Sequence, residues 1–258
     1  MKTALSKYSL ILATTAILGL DSCKRDKDPE PGPVVPVYGT VNGKINYVFG
    51  ADMVPWQLNK LYVHPKTGDS LTFTNFRFFI SNFKLKKADG TWWIQPESYY
   101  LIDAKTAAES SFSIPNVPEG EYTAVEYTMG VDSLHNVSGA QTGALSLTTG
   151  MFWEWNSGYI MLKAEGDSPN SPTGKFALHL GGFSGANNIV TVRTAEFGKT
   201  VKVAKSITPT MTFTVNPAKL WHSSPGVDSV SVIHMPGAAA VTMAKDFYNN
   251  VTLSDVQQ

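Results

Sequence analysis

Short runs in which apolar and polar residues alternate, divided by turn residues, recur along most of this chain. Period-two alternation marks strands with one buried face. Residues 37–49 alternate in part and are rich in Val, Tyr and Ile. Residues 60–63 and 71–73 flank Pro65-Lys66-Thr67-Gly68-Asp69, whose side chains suit a turn. Residues 76–86 alternate weakly, and Asp89-Gly90 gives a two-residue hairpin signal before residues 91–94. Further strands are expected at 99–102, 121–129, 159–164, 175–180, 188–196, 200–205 and 208–215. Residues 112–120, with Pro115 and Pro118, read as a loop, as do residues 165–174. One helix is predicted, over 238–249 after Pro236-Gly237, with Val241, Ala244 and Tyr248 at helical spacing. Many short strands and one helix predict an all-β fold, an antiparallel β-sandwich with one short C-terminal helix.

The N-terminus follows a different pattern. Lys2 and Lys7 precede an apolar run, 8–20, too short for a comfortable membrane span. It ends in Leu20-Asp21-Ser22-Cys23, and Cys23 is the only cysteine in 258 residues. A lone cysteine excludes an internal disulfide, and its place directly after the run resembles a bacterial lipobox. Residues 1–22 are therefore expected to be a lipoprotein signal peptide, and Cys23 the lipidated residue. Residues 23–37, charged and then proline-rich, are expected to be a flexible tether, and residues 38–258 the folded domain. These expectations place the protein in the cell envelope, on the periplasmic or outer face of an outer membrane, held by its lipid anchor.

Composition narrows the chemistry. The formal net charge is zero, which gives no electrostatic reason to expect nucleic acid as a partner. A charged fraction of 16% against 43% hydrophobic residues suits a folded domain rather than a disordered chain. No phosphate-binding glycine loop and no nucleophile elbow is present, so the protein is not expected to be an enzyme. Five histidines remain, His64, His135, His179, His222 and His234, without an HxH or HExxH motif. Any metal site must be assembled from distant segments. His64, before Pro65 in a turn, reads as solvated, and His135 as a loop residue. His179 sits on an expected strand, where it can be a structural residue or a ligand. Met235 beside His234 adds a soft donor type that can equally be packing. Trp153 and Trp155, one residue apart across Glu154, stand either in a core or on the wall of a site.

Several segments occur in an order that carries a family resemblance. They are Asn75-Phe76-Arg77-Phe78-Phe79-Ile80-Ser81-Asn82, Val117-Pro118-Glu119-Gly120-Glu121-Tyr122, Met129-Gly130-Val131-Asp132, Gly143-Ala144-Leu145, Gly150-Met151-Phe152-Trp153-Glu154-Trp155-Asn156-Ser157-Gly158-Tyr159 and Phe176-Ala177-Leu178-His179-Leu180-Gly181. Together, over about 39–255, they resemble the MbnP-like copper-binding family, whose members include a periplasmic partner protein of methanobactin operons. The resemblance implies a β-sandwich and extracytoplasmic copper binding for scavenging, storage or delivery. It also implies that a tryptophan, Trp153 or Trp155, is oxidised to kynurenine by a di-haem peroxidase-like partner protein. By motif it points to His179 first and His234 second as copper ligands, with His135 as a third histidine. The competing reading is a metal-free binding or structural lipoprotein whose tryptophans are core.

Overall fold

In the computed structural model, residues 36–139, 141–153 and 157–258 are described. The signal peptide, Cys23, Glu154 and Trp155 therefore lie outside the described residues. The chain runs β1 (Tyr38–Phe49), β2 (Val54–Pro55), β3 (Leu61–Val63), β4 (Ser70–Lys87), β5 (Trp92–Ile94), β6 (Tyr99–Asp103), β7 (Ser111–Pro118) and β8 (Gly120–Met129). A short helix α1 (Ser133–Val137) follows, then β9 (Ile160–Asp167), β10 (Lys175–Gly181), β11 (Thr191–Val203), β12 (Thr210–Val215), β13 (Val232–Ile233), α2 (Ala238–Asn249) and β14 (Thr252–Gln257). These strands form a β-sandwich, with α2 as its C-terminal helix.

One sheet has five strands in the order β14-β12-β1-β2, with β7 also on β1. The other has nine, in the order β11-β8-β4-β9-β10-β13, with β3, β5 and β6 also along β4. The pairing is antiparallel except for β1 with β12 and β10 with β13. Those two parallel pairs make the sheets mixed, where the turn-rich sequence suggested hairpins throughout.

The 18-residue β4 is the spine of the larger sheet. Phe78 pairs with Leu162 of β9 and with Ile102 of β6, and Ile80 with Met129 of β8 and with Tyr100 of β6. Thus β9 and β8 follow one another along one edge of β4, and β6 lies along the other. Alternation sends Phe76 and Phe78 inward and Asn75 and Arg77 outward. The inward rings meet α2, with Phe247 5.5 Å from Phe76 and 5.9 Å from Phe78, centroid to centroid. From the smaller sheet Phe213 reaches Tyr127 at 5.1 Å. Ala240, Met243, Ala244, Phe247 and Tyr248 give α2 its buried face, close to the helical spacing read from the sequence.

Three sequence expectations change. Residues 112–120 are not a loop: most of them form β7, paired with β1. The ladder skips Pro115 and Asn116, and Asn116 has φ 58°, so the proline sits in a bulge where no ladder N–H is required. Glu165 does not open a loop but continues β9. His64 is not solvated: it is buried, and its Nε2–H donates to Ala218 O at 2.7 Å while Nδ1 accepts from Thr67 N–H at 3.1 Å.

Candidate functional site

The outward faces of β4, β9 and β10 carry a polar group that the phenylalanine-rich inner face lacks. Cross-strand register sets Lys163 beside both Arg77 and His179. One step along, Glu165 lies beside Asn75. His179 Nε2–H donates to Glu165 Oε1 at 2.7 Å, and Asn75 Nδ2 donates to Glu165 Oε2 at 2.8 Å. Lys163 Nζ stands 3.6 Å from Glu165 Oε1. Burial pushes the His179 pKa down, outweighing its bond to Glu165, and Lys163 and His234 push the same way. Burial alone would raise Glu165, yet hydrogen bonds from His179 and Asn75 and the charge of Lys163 bring it below its ordinary value. The pair is therefore a neutral imidazole donating to a carboxylate. One N–H of His179 is spent, and its Nδ1 keeps a lone pair.

His234 arrives from a different part of the chain. Trp221 is fully buried, edge-on to Phe176 at 5.4 Å, and its Nε1–H donates to Val230 O at 3.0 Å. That bond anchors the segment that becomes β13. Ala177 N–H then donates to Ser231 O at 2.8 Å, and β13 pairs in parallel with β10, Ala177 against Val232 and Leu178 against Ile233. The next residue on each strand is a histidine. The rings of His179 and His234 face one another at 4.7 Å between centroids, 76° apart in plane. Met235 follows, 70% exposed.

Trp153 reaches the same face. Trp153 N–H donates to Gly158 O at 3.1 Å, Phe152 bridges Tyr159, and Ile160 N–H donates to Met151 O at 2.9 Å, so the segment doubles back as a hairpin. The half-buried Trp153 ring lies across Gly181. A Cβ on Gly181 would stand 2.6 Å from the six-membered ring of the indole, so this approach requires glycine. Gly181 is two residues beyond His179 on one strand, on the same face and roughly 7 Å along it. Trp155 lies outside the described residues, and only Trp153 can be placed.

His135 belongs to another group. It sits in α1, its Nδ1 2.6 Å from Tyr99 Oη and 3.0 Å from Asp132 Oδ1, with Nε2 3.3 Å from Glu97 Oε2. Neither His179 nor His234 is among these partners. Asp132 caps α1 by accepting from His135 N–H at 3.1 Å, and it also accepts from Tyr99 Oη–H and Asn82. Burial would raise the Asp132 pKa, but these donors together hold it well below the carboxylate range.

Sequence reasoning thus named the two histidines that meet and missed Glu165, Lys163, Asn75 and Arg77 around them. The signal that marks Glu165 is the outward series Lys163, Glu165, Asp167, which continues the β9 alternation past the point where its apolar residues end.

Among the described residues no group of three or more His, Cys, Asp or Glu side chains could hold a metal ion. What the site offers is two imidazoles, one with its Nε2–H already held by a carboxylate, beside an indole and an exposed thioether. Imidazole and thioether suit copper, and a carboxylate behind a ligating imidazole is the usual outer support of a metal-binding histidine. The donor types fit a copper ion, with any third donor coming from outside the described His, Cys, Asp and Glu side chains.

A family model described as MbnP matches residues 39–236. It ends two residues after His234, short of the reach to 255 read from the motifs. Among solved structures the chain is similar to MbnP from Methylosinus trichosporium, with a TM-score of 0.50 and 17% sequence identity, over 80% of this chain and 83% of that one. At that identity the likeness concerns the fold. No curated protein matches the chain.

Proposed function

The chain belongs to the MbnP family, and from that premise we propose that it is an extracytoplasmic, lipid-anchored copper-binding protein. The single observation that carries this reading is the meeting of His179 and His234 at 4.7 Å on the outer sheet face. They come from segments more than fifty residues apart, and a parallel strand pair brings them level. His179 and His234 are the residues that would hold copper, through imidazole nitrogens. His135, engaged with Tyr99 and Asp132, has no part in this reading. Trp153 is the described tryptophan placed for oxidation to kynurenine, which would add an amine and a carbonyl beside the histidines. That oxidation is assigned to a di-haem peroxidase-like partner. The role is scavenging, storage or delivery of copper, without catalysis by this chain. Cys23 would carry the lipid, and residues 23–37 would form the tether. No described helix is long and apolar enough to cross a membrane. A metal-free envelope lipoprotein leaves unexplained why β10 and the end of β13 bring two imidazoles together edge to face.

The test is metal analysis of protein purified from its native host, with uptake of Cu(I) and Cu(II) by the metal-free form. One copper per chain is expected. Protein that arrives without copper and takes up neither oxidation state overturns the reading. Peptide mass spectrometry over residues 143–163 checks the tryptophan separately: unmodified Trp153 and Trp155, with the peroxidase-like partner present, rejects the kynurenine assignment alone.

A further inference from the structure

The polar row on the outer sheet face has a direction, and one residue sets it. The Arg77 guanidinium only donates. Its Nε–H donates to Asn75 Oδ1 at 3.1 Å. That spends the amide oxygen and turns Nδ2 toward Glu165, where it donates to Oε2 at 2.8 Å. Flipping the Asn75 amide would set donor against donor at Arg77 and acceptor against acceptor at Glu165. The carboxylate can only accept, so at 2.7 Å its Oε1 must meet a proton on His179 Nε2. A neutral imidazole has one N–H, which leaves Nδ1 as the lone pair. A second arm of the same guanidinium, Nη1, donates to Thr149 O at 2.9 Å. Thr149 is followed by Gly150 in the left-handed region, φ 68°, and four residues on from Thr149 by Trp153. Lysine could not span both directions, because it lacks the planar fork.

We propose that Arg77 is the positioning residue of this site: one arm orients Asn75, which holds in place the Glu165 carboxylate that fixes the His179 tautomer, and the other pins the backbone that carries Trp153. Nδ1 is thereby the metal-binding nitrogen of His179. The last statement rests on the copper reading, whereas the tautomer and the Trp153 anchor are properties of the metal-free protein.

Glu165→Gln makes the row testable. With Asn75 still oriented by Arg77, the new amide must accept from Asn75 through its oxygen and offer its NH₂ to His179. His179 Nε2 then becomes the acceptor, and the proton moves to Nδ1. The measurement is two-bond proton–nitrogen correlation on the metal-free, ¹⁵N-histidine-labelled full chain. The expected result is the Nε2–H form in the parent and the Nδ1–H form in Glu165→Gln, with copper affinity lowered about 10- to 100-fold. Arg77→Met alone should keep the Nε2–H form and shift the Trp153 indole N–H resonance, whereas added to Glu165→Gln it frees the Asn75 amide to flip and should give mixed tautomers. A parent in the Nδ1–H form, or a Glu165→Gln variant that keeps Nε2–H, overturns the tautomer assignment even if copper binds. An unmoved Trp153 resonance in folded Arg77→Met overturns the second arm. The expected tautomer exchange in a chain that takes up no copper supports the positioning row and removes the copper reading instead. Should Arg77→Met fail to fold, Asn75→Leu added to Glu165→Gln breaks the first arm while leaving the guanidinium on Thr149, and an Nδ1–H form as complete as in Glu165→Gln alone overturns the proposal.

Discussion

The two faces of the nine-stranded sheet are built from the same strands and solve opposite problems. On the inner face Phe76, Phe78, Leu162, Ala164, Leu178 and Leu180 are fully buried. They pack without polar obligations, and their value lies in the area removed from water. On the outer face, one residue away along each strand, Asn75, Arg77, Glu165 and His179 are half-buried and joined by hydrogen bonds, with Lys163 ion-paired to Glu165. Each polar group there must be satisfied, and satisfying them leaves one imidazole nitrogen over. The inner face makes the fold stable; the outer face makes part of it specific. Substitutions on the two faces should therefore differ in kind.

The largest loss of stability is expected from Phe78→Ala. Phe78 is fully buried, with Phe76 at 6.1 Å and Phe247 at 5.9 Å, so no neighbour can close the space without moving α2. A cost of about 3–5 kcal/mol is expected in urea unfolding. A loss below 1 kcal/mol would mean that the two layers are not held together at this point.

His64 sharpens the comparison from within the core, because it is a histidine with nothing to spare. Both ring nitrogens are engaged, by Ala218 O and Thr67. His64→Ala should cost about 1–3 kcal/mol by stranding buried partners. Burial lowers its pKa below 6.5, more than Ala218 and Asp69 raise it. The unfolded chain then takes up the proton first, so His64 leaves stability intact above the ordinary histidine range and erodes it as pH falls below about 6.5. His179 titrates in the same direction. Unfolding curves from pH 8 to 5 should flatten more on His64→Gln than on His179→Gln, since only His64 is enclosed. Equal slopes in the two variants would dissolve the distinction between a structural and an available histidine.

The inner face was legible in the sequence because alternation and burial are local properties. Strand β10, with Phe176, Leu178 and Leu180 against His179, announces itself, as does α2. What alternation could not show is which strands become neighbours. Residues 71–73 and 76–86 read as two strands because the extra residue Thr74 breaks the period; the structure carries β4 through it with a register shift. The two-residue β13 has no pattern of its own and exists because Trp221 holds the preceding chain. That the rings of His179 and His234 face each other follows from this pairing. Their choice from sequence rested on motif resemblance, not on spacing. The carboxylate that orients His179 lies fourteen residues earlier, across a hairpin, and only the register of β9 against β10 brings it there.

Gly181 lies where the two faces meet the tryptophan. A methyl group there would stand 2.6 Å from both the Trp153 ring and Tyr159 O. The backbone oxygen cannot retreat without disturbing the hairpin, so the indole should. Gly181→Ala is expected to cost about 1–2 kcal/mol through overpacking and to expose Trp153, seen as a red shift in its fluorescence. Since Trp56 and Trp221 are buried in the core, a Trp153→Phe background identifies the source of any change. A full-stability variant with unchanged emission would place the indole elsewhere than across Gly181.

His179→Ala should have the smallest effect on the fold and the sharpest effect on the site. His179 faces outward, and its one polar partner, Glu165, keeps Asn75 and Lys163 when the ring is gone. Away from the core such a loss is within roughly 0.5–1 kcal/mol, far below the cost of Phe78→Ala one face away. On the proposed copper-binding role, uptake should by contrast fall beyond detection, because His234 alone cannot replace the pair. The two measurements read opposite faces of one sheet: calorimetry without metal, and copper titration with it. If His179→Ala unfolded the protein as Phe78→Ala does, the imidazole would be a structural residue like His64, and its meeting with His234 would be packing.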